Sequence, residues 1–176
     1  MSVSESSRGV ASVLGGVFHV AYAVGDLAEA ADSLIALGGG IVTEPVSMEA
    51  LVVAPALSVD PVRVGGRLCW VLGVEPPVEL WEGGAESPWS CSAGGMRFHH
   101  IAHYVDDLDA AARGLEEQGF TLDLTPYHDG EGILGFAYFR NAGGLRVEIQ
   151  HIDDKPAMDA WLRGEPLRVD WFARLR

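Results

Sequence analysis

The stretch Phe18–Gly38, "FHVAYAVGDLAEAADSLIALG", has a counterpart at His99–Gly119, "HHIAHYVDDLDAAARGLEEQG". At an offset of 81 residues His19 meets His100, Ala21 meets Ala102 and Val24 meets Val105. Asp26-Leu27 meets Asp107-Leu108, Ala30-Ala31 meets Ala111-Ala112, Leu34 meets Leu115 and Gly38 meets Gly119. The chain therefore carries two copies of one unit, not an array. Each copy opens on the alternating residues of a strand. An Asp then stands at the N-cap position of an Ala- and Leu-rich helical segment. A Gly closes that segment, as glycine does at helix C-termini. The run "LGGG", Leu37–Gly40, follows a helix instead of preceding one. It reads as a cap and turn, not as a phosphate loop.

Further strands follow each helix. In the second copy they are Phe120–Pro126, Ile133–Arg140 and Leu145–His151, joined by the turn-rich segments "YHDGEG" and "NAGG". In the first copy they are Arg67–Gly73 and Pro77–Gly83. The strand before these is expected near Ile41–Val46 or Leu51–Leu57, inside a long Pro- and Val-rich connection over Pro45–Pro61. Each half thus reads strand, helix, strand, strand, strand, an α+β fold of two tandem βαβββ modules. The expected organisation is a tail over 1–16, a first module over 17–83 and a linker over 84–95. A second module covers 96–152, and a C-terminal helix and tail cover 153–176. Within that last piece, Lys155–Pro166 has a Pro near its start and Gly164 near its end, so it reads as a short helix docking Trp161.

The chain has 176 residues and a net charge of -13, with no cluster of Lys or Arg. That length suits one compact domain or two small packed modules. A nucleic-acid binder needs a basic stripe, so that partner is disfavoured. No apolar stretch approaches a membrane span, and the polar N-terminus lacks the apolar core of a signal peptide. The two cysteines, Cys69 in an apolar run and Cys91 in an exposed Ser/Gly stretch, form no disulfide framework. A reducing cytoplasm is the default location.

The two-residue period of strands places the chemistry. Phe18, Val20, Tyr22 and Val24 share the face expected under the helix, leaving His19, Ala21 and Ala23 on the other. In the second copy His100, Ala102 and Tyr104 share one face, and His99, Ile101, His103 and Val105 the core-facing one. The last strands put Glu79 with Trp81, and Glu148 with Arg146 and Gln150, opposite the core-facing residues Val78, Leu80, Val147 and Ile149. Each half so offers one imidazole and one carboxylate away from the helices. If the two sheets face each other, His19, Glu79, His100 and Glu148 form a donor set for one divalent first-row metal ion. Taken singly, each of these residues is more often a satisfied or solvated strand residue. His99 and His103 read as packed histidines, while His128, His151 and the Asp106-Asp107 and Asp153-Asp154 pairs read as turn and cap residues.

Four motifs now stand in order: "FHVAYAVGDL", "VELWEG", "HHIAHYVDDL" and "LRVEIQH". Together they resemble the vicinal oxygen chelate superfamily of glyoxalase, epimerase and extradiol dioxygenase families, over Val17–His151. The resemblance implies cupped mixed sheets around a central metal, helices outside, and a possible homodimer, since in some relatives modules of two chains share the site. It maps His19, Glu79, His100 and Glu148 onto the metal-ligand positions, for nickel, cobalt, zinc, manganese or iron. The set is similar to that of bacterial glyoxalase I, and to methylmalonyl-CoA epimerases, which usually carry an amide in place of one carboxylate. It further implies a metal-dependent isomerase, epimerase or lyase. Such an enzyme removes a proton beside a carbonyl of a small substrate with vicinal oxygens, with Glu148 or Glu79 as base. Trp81 and Tyr104 are candidate pocket walls, and Arg146 either binds an anionic substrate group or forms a surface ion pair. The alternatives are an extradiol-type iron dioxygenase, which uses two His and one carboxylate, and a non-catalytic drug-binding protein. No glutathione or CoA signature is recognisable, so the substrate stays open.

Overall fold

The computed structural model describes residues 14–38, 40–166 and 168. Of the expected tail over 1–16, residues 1–13 lie outside them, as do 167 and 169–176. The elements run β1 Val17–Val24, α1 Leu27–Ala36, β2 Ile41–Val42, β3 Val46–Val53, β4 Val62–Leu72 and β5 Val78–Gly83. They continue with β6 Met96–Val105, α2 Leu108–Glu117, β7 Phe120–Pro126, β8 Phe136–Asn141 and β9 Arg146–His151. A 3₁₀ turn, Ile152–Asp154, leads into α3, Lys155–Leu162.

The helix of each repeat starts and ends where its sequence dictates. Asp26 accepts a hydrogen bond from the Glu29 amide at 2.9 Å, and Asp107 one from the Ala110 amide at 2.8 Å, satisfying orphan donors of α1 and α2. Gly38 and Gly119 follow the helix ends at φ 107° and 81°, where a side chain would be strained. Both alternatives for the uncertain strand are met in part: β2 and the first residue of β3 fall in Ile41–Val46, and the end of β3 covers residues 51–53, while residues 54–57 are not strand. All of β3, Val46–Val53, lies inside the segment expected to be a connection. The alternation of "VSMEALVV" gives the reason: Val46, Met48, Ala50 and Val52 pack on one face into a single cluster. Pro45 separates β2 from β3, and the two lie end to end along the same side of β4.

Strand pairing begins at the centre, where β1 and β6 run antiparallel. β5 adds parallel to β1, and β9 parallel to β6. Outward from there β4 and β3 follow on one side, β8 and β7 on the other. The ends then meet, because Val52 and Val53 of β3 pair with Pro126 and Thr125 of β7. The ladder therefore closes into a ring of eight strands with helices outside.

Each helix covers its own half. α1 lays Leu27, Ala30 and Ala31 over Val24, Cys69, Val71, Val78 and Leu80. α2 lays Leu108, Ala111, Ala112 and Leu115 over Ala137, Phe139, Val147 and Ile149. The third cluster fills the inside of the ring and includes Val52, Leu68, Trp70, Trp81, Leu124 and Tyr138. α3 closes over this cluster with Met158 and Trp161, as expected for its tryptophan. Among the described residues no helix is long and apolar enough to cross a membrane.

Candidate metal centre

The strand register explains how four polar side chains converge. Glu79 of β5 stands beside Ala21 of β1, which stands beside His100 of β6. Glu148 of β9 stands beside Ala102 of β6, which stands beside His19 of β1. Each row is thus carboxylate, alanine, imidazole. Neighbours two strands apart are separated by about 10 Å of backbone. The small Ala between them lets the outer side chains lean over it and meet as the sheet curls.

They do meet. His19 Nε2 and His100 Nε2 are 2.9 Å apart, and Glu148 Oε2 lies 2.7 Å from His100 Nε2 and 3.4 Å from His19 Nε2. Glu79 Oε2 lies 3.4 Å from His19 Nε2 and 3.6 Å from His100 Nε2. One donor atom from each residue falls within 4.8 Å of all the others, and all four residues are buried. A single chain supplies all of them. Donors about 2.1 Å from a shared cation stand about 3.0–3.4 Å from one another, so the spacing fits a metal ion. Glu148 Oε2 is buried and has no hydrogen-bond partner despite its close neighbours, as an oxygen aimed at a common centre would be. These residues can hold a divalent metal ion.

Electrostatics are severe without one. Burial lowers the pKa of His19, but the charges of Glu79 and Glu148 and contacts with both outweigh it and raise the value to about 9. Burial raises the Glu148 pKa, but His100 and then His19 outweigh it and pull the value down to about 2.

Two register shifts refine the expected faces. In β1 the ladder steps between Val17 and His19, leaving Phe18 as an extra residue. In β6 it steps between His100 and Phe98, leaving His99 as an extra residue. These are β-bulges, which break the two-residue alternation. Phe18 accordingly turns inward, not under α1, and meets His19 edge-on at 4.2 Å. His99 turns away from α2 to sit beside His100. Phe18 and His99 are equivalent positions of the repeat. His103 does lie off the site, with Nδ1 2.7 Å from the Gly15 carbonyl.

The other expected site residues are divided. Trp81 is buried on the inner face and stacks on Trp89 at 4.1 Å. Tyr104 stacks on Phe18 at 4.0 Å, with Lys155 above its ring at 5.9 Å. Arg146 is already engaged: its Nε and Nη2 each lie 2.7 Å from Oδ2 of buried Asp123, which also holds Arg140 at 3.0 Å. It is neither a free anion receptor nor a surface pair. Cys91, expected exposed, packs partly against the inner cluster.

Besides Phe18, four aromatic rings of the inner face were not among the expected site residues. Trp70 lies opposite Glu79 in β4 and meets the His19 ring edge-on at 4.9 Å. Alternation within "RLCWVLG" carries that signal, since Trp70 falls on the face opposite Cys69 and Val71. Tyr138 of β8 pairs with Glu148 and lies 4.8 Å from the His100 ring. Trp89 comes from the segment read as a polar linker, where no periodicity marks it. His99 was hidden by its bulge.

The family model described as "Glyoxalase/Bleomycin resistance protein/Dioxygenase superfamily" matches residues 18–139. No curated protein matches the chain. Among solved structures, a methylmalonyl-CoA epimerase from Mycobacterium tuberculosis is 22% identical, covering 79% of this chain and 89% of its own with a TM-score of 0.48. A hypothetical protein from Bacillus halodurans is 20% identical, covering 77% and 93% with a TM-score of 0.49. A Streptomyces coelicolor methylmalonyl-CoA epimerase variant in complex with 2-nitronate-propionyl-CoA is 18% identical, covering 78% and 97% with a TM-score of 0.49. Likenesses this distant carry no argument about substrate. The family match spans more than half of the sequence, and the chain belongs to the glyoxalase/bleomycin resistance protein/dioxygenase superfamily.

Proposed function

We propose that the protein is a divalent-metal-dependent isomerase, epimerase or lyase that removes a proton beside a carbonyl of a small, oxygen-rich substrate. One observation carries this reading: two imidazoles and two carboxylates, one of each from either half, are buried with donor atoms within 4.8 Å. The superfamily scaffold hosts several functions, so the site must carry the choice. His19, Glu79, His100 and Glu148 would hold the ion, and their donor types suit nickel, cobalt, zinc, manganese or iron. When bound, the ion supplies Lewis-acid stabilisation of the charge that develops on a carbonyl oxygen as the adjacent C–H is deprotonated.

The chain's own residues do the rest. Phe18 and Trp70 meet the His19 ring edge-on and Tyr138 lies against the His100 ring, so aromatic groups surround both imidazoles. The carboxylates differ in grip, with closest imidazole contacts of 2.7 Å for Glu148 and 3.4 Å for Glu79. We assign anchoring to Glu148 and proton transfer to Glu79, whose looser hold leaves it freer to swing. The indole nitrogens of Trp70 and Trp81 are buried without hydrogen-bond partners. Indole is a donor only, and an unmet buried donor costs about 1–3 kcal/mol. Tyr104, at the edge of the inner cluster, would line the substrate's approach. The acidic composition and unpaired cysteines are in keeping with a cytoplasmic enzyme without a nucleic-acid partner.

The test is elemental analysis of the purified protein beside His100→Ala and Glu148→Ala, followed by solvent-deuterium exchange into compounds with an acidic C–H beside a carbonyl. About one ion per chain, lost in both variants, with exchange abolished in Glu79→Gln, is the expected result. Absence of metal after reconstitution with all five ions overturns the enzyme reading in favour of a small-molecule binder. Oxygen uptake with iron would point to the dioxygenase branch.

A further inference from the structure

The two bulges are equivalent in place but not in chemistry. In the first half the extra residue is Phe18, which gives His19 only a ring edge, and His19 Nδ1 is buried without a partner. In the second half it is His99, whose Nδ1 lies 2.8 Å from His100 Nδ1. The far nitrogen of His99, Nε2, lies 3.2 Å from the Pro88 carbonyl. That carbonyl also accepts a hydrogen bond from Arg97 Nη2 at 2.8 Å, and Arg97 further donates to the Ser90 carbonyl at 3.1 Å through Nε and 3.0 Å through Nη2. Both imidazoles are buried, at 2% exposure for His99 and 0% for His100.

The direction of each hydrogen bond follows from its last acceptor. A carbonyl oxygen only accepts, so His99 Nε2 carries the hydrogen. A neutral imidazole has a single N–H, so His99 Nδ1 is bare and accepts. In the neutral His100 ring Nδ1 must then donate, which leaves Nε2 with its lone pair directed at His19, Glu79 and Glu148.

We propose that His99 is a positioning residue that presets the tautomer and ring plane of His100 for metal binding, while His19 is left without such a partner. This rests on the metal reading of the site. The site then has one rigid imidazole arm and one adaptable arm. The anchor of the rigid arm is the Pro88–Ser90 loop, pinned to β6 by Arg97, so the segment joining the two halves reaches the site through hydrogen bonds.

The experiment compares wild type with His99→Phe, which reproduces the arrangement around His19, and with His99→Asn, which keeps an acceptor at the position of Nδ1. Long-range proton–nitrogen spectra of histidine-labelled, metal-free protein at alkaline pH report which nitrogen of His100 carries the hydrogen. Competition with a chromophoric chelator reports zinc and cobalt affinity. The expected result is a fixed Nδ1–H form in wild type, its loss in His99→Phe, and metal binding weakened about 10- to 100-fold there. Most of both should return in His99→Asn, which structural damage alone would not allow. An unchanged His100 tautomer with unchanged metal affinity in His99→Phe overturns the proposal. If His99→Phe fails to fold, loss of the Nδ1–H form in His99→Asn overturns it and retention supports it. Absence of metal binding in wild type defeats the metal reading, and the tautomer spectra then decide the role of His99 alone.

Discussion

Raising the pH should tighten metal binding by this protein far more steeply than at an ordinary histidine site. In the metal-free chain the His19 pKa is raised from 6.5 to about 9. An incoming ion needs the unprotonated Nε2, so below about pH 9 it must first expel that proton. Each unit of pH well below this point weakens the apparent affinity about tenfold, and with half of His19 still protonated at pH 9, pH 7 should lie about 50-fold below pH 9, or about 2.3 kcal/mol. Glu148, pulled down to about 2, holds no proton in this range and adds no slope. The assay is chelator competition at several pH values, joined to calorimetry in buffers of different ionisation enthalpy, which counts protons. About one proton released per ion at neutral pH is expected. Glu79 supplies the largest raising influence on His19. In Glu79→Gln the rising part of the profile should therefore move to lower pH. A flat profile between pH 6.5 and 9, or no proton release, would refute the reasoning.

Further outcomes follow from the same structure. For the metal-free protein the raised His19 pKa gives stability that is complete below pH 6.5 and lost on rising through about 9. The lowered Glu148 pKa gives stability that is complete above 4.5 and lost on falling through about 2. Urea midpoints should thus peak between those limits, pH 4.5 to 6.5, and saturating metal should abolish the alkaline decline. Asp123→Asn leaves the largely buried Arg146 guanidinium without its carboxylate, at a cost of about 3 kcal/mol in denaturant titration, with metal affinity unchanged. Trp161→Ala removes a side chain packed against Trp70 at 5.7 Å and should release α3. Amide exchange should accelerate in Lys155–Leu162 alone, with a global loss below the about 3–5 kcal/mol of a core tryptophan, because the ring of strands survives undocking. Acceleration throughout β1 and β6 would show instead that α3 supports the whole fold.

Much of this was legible in the chain before any geometry. The repeat located both helices and their caps, because Asp and Gly act on the backbone locally. Period-two alternation placed Glu79 and Glu148 opposite the helix-covered faces, because β5 and β9 are regular there. It failed at Phe18 and His99, where one extra residue in each strand reverses the facing of everything before it. It also failed at Trp89, whose burial depends on stacking against Trp81 across a turn, a contact that no spacing encodes. Arg146 was ambiguous for a similar reason: its partner, Asp123, comes from β7, and only the closed sheet brings them together.

The rows Glu79–Ala21–His100 and Glu148–Ala102–His19 carry a message about ancestry. Each draws its carboxylate and its imidazole from opposite halves, so neither half alone completes a row. Two copies of a single half, facing each other as separate chains, would generate the same rows. Fusion into one chain removes the requirement that both halves stay identical. The Phe at one bulge and the His at the other are a difference that a pair of identical subunits could not express.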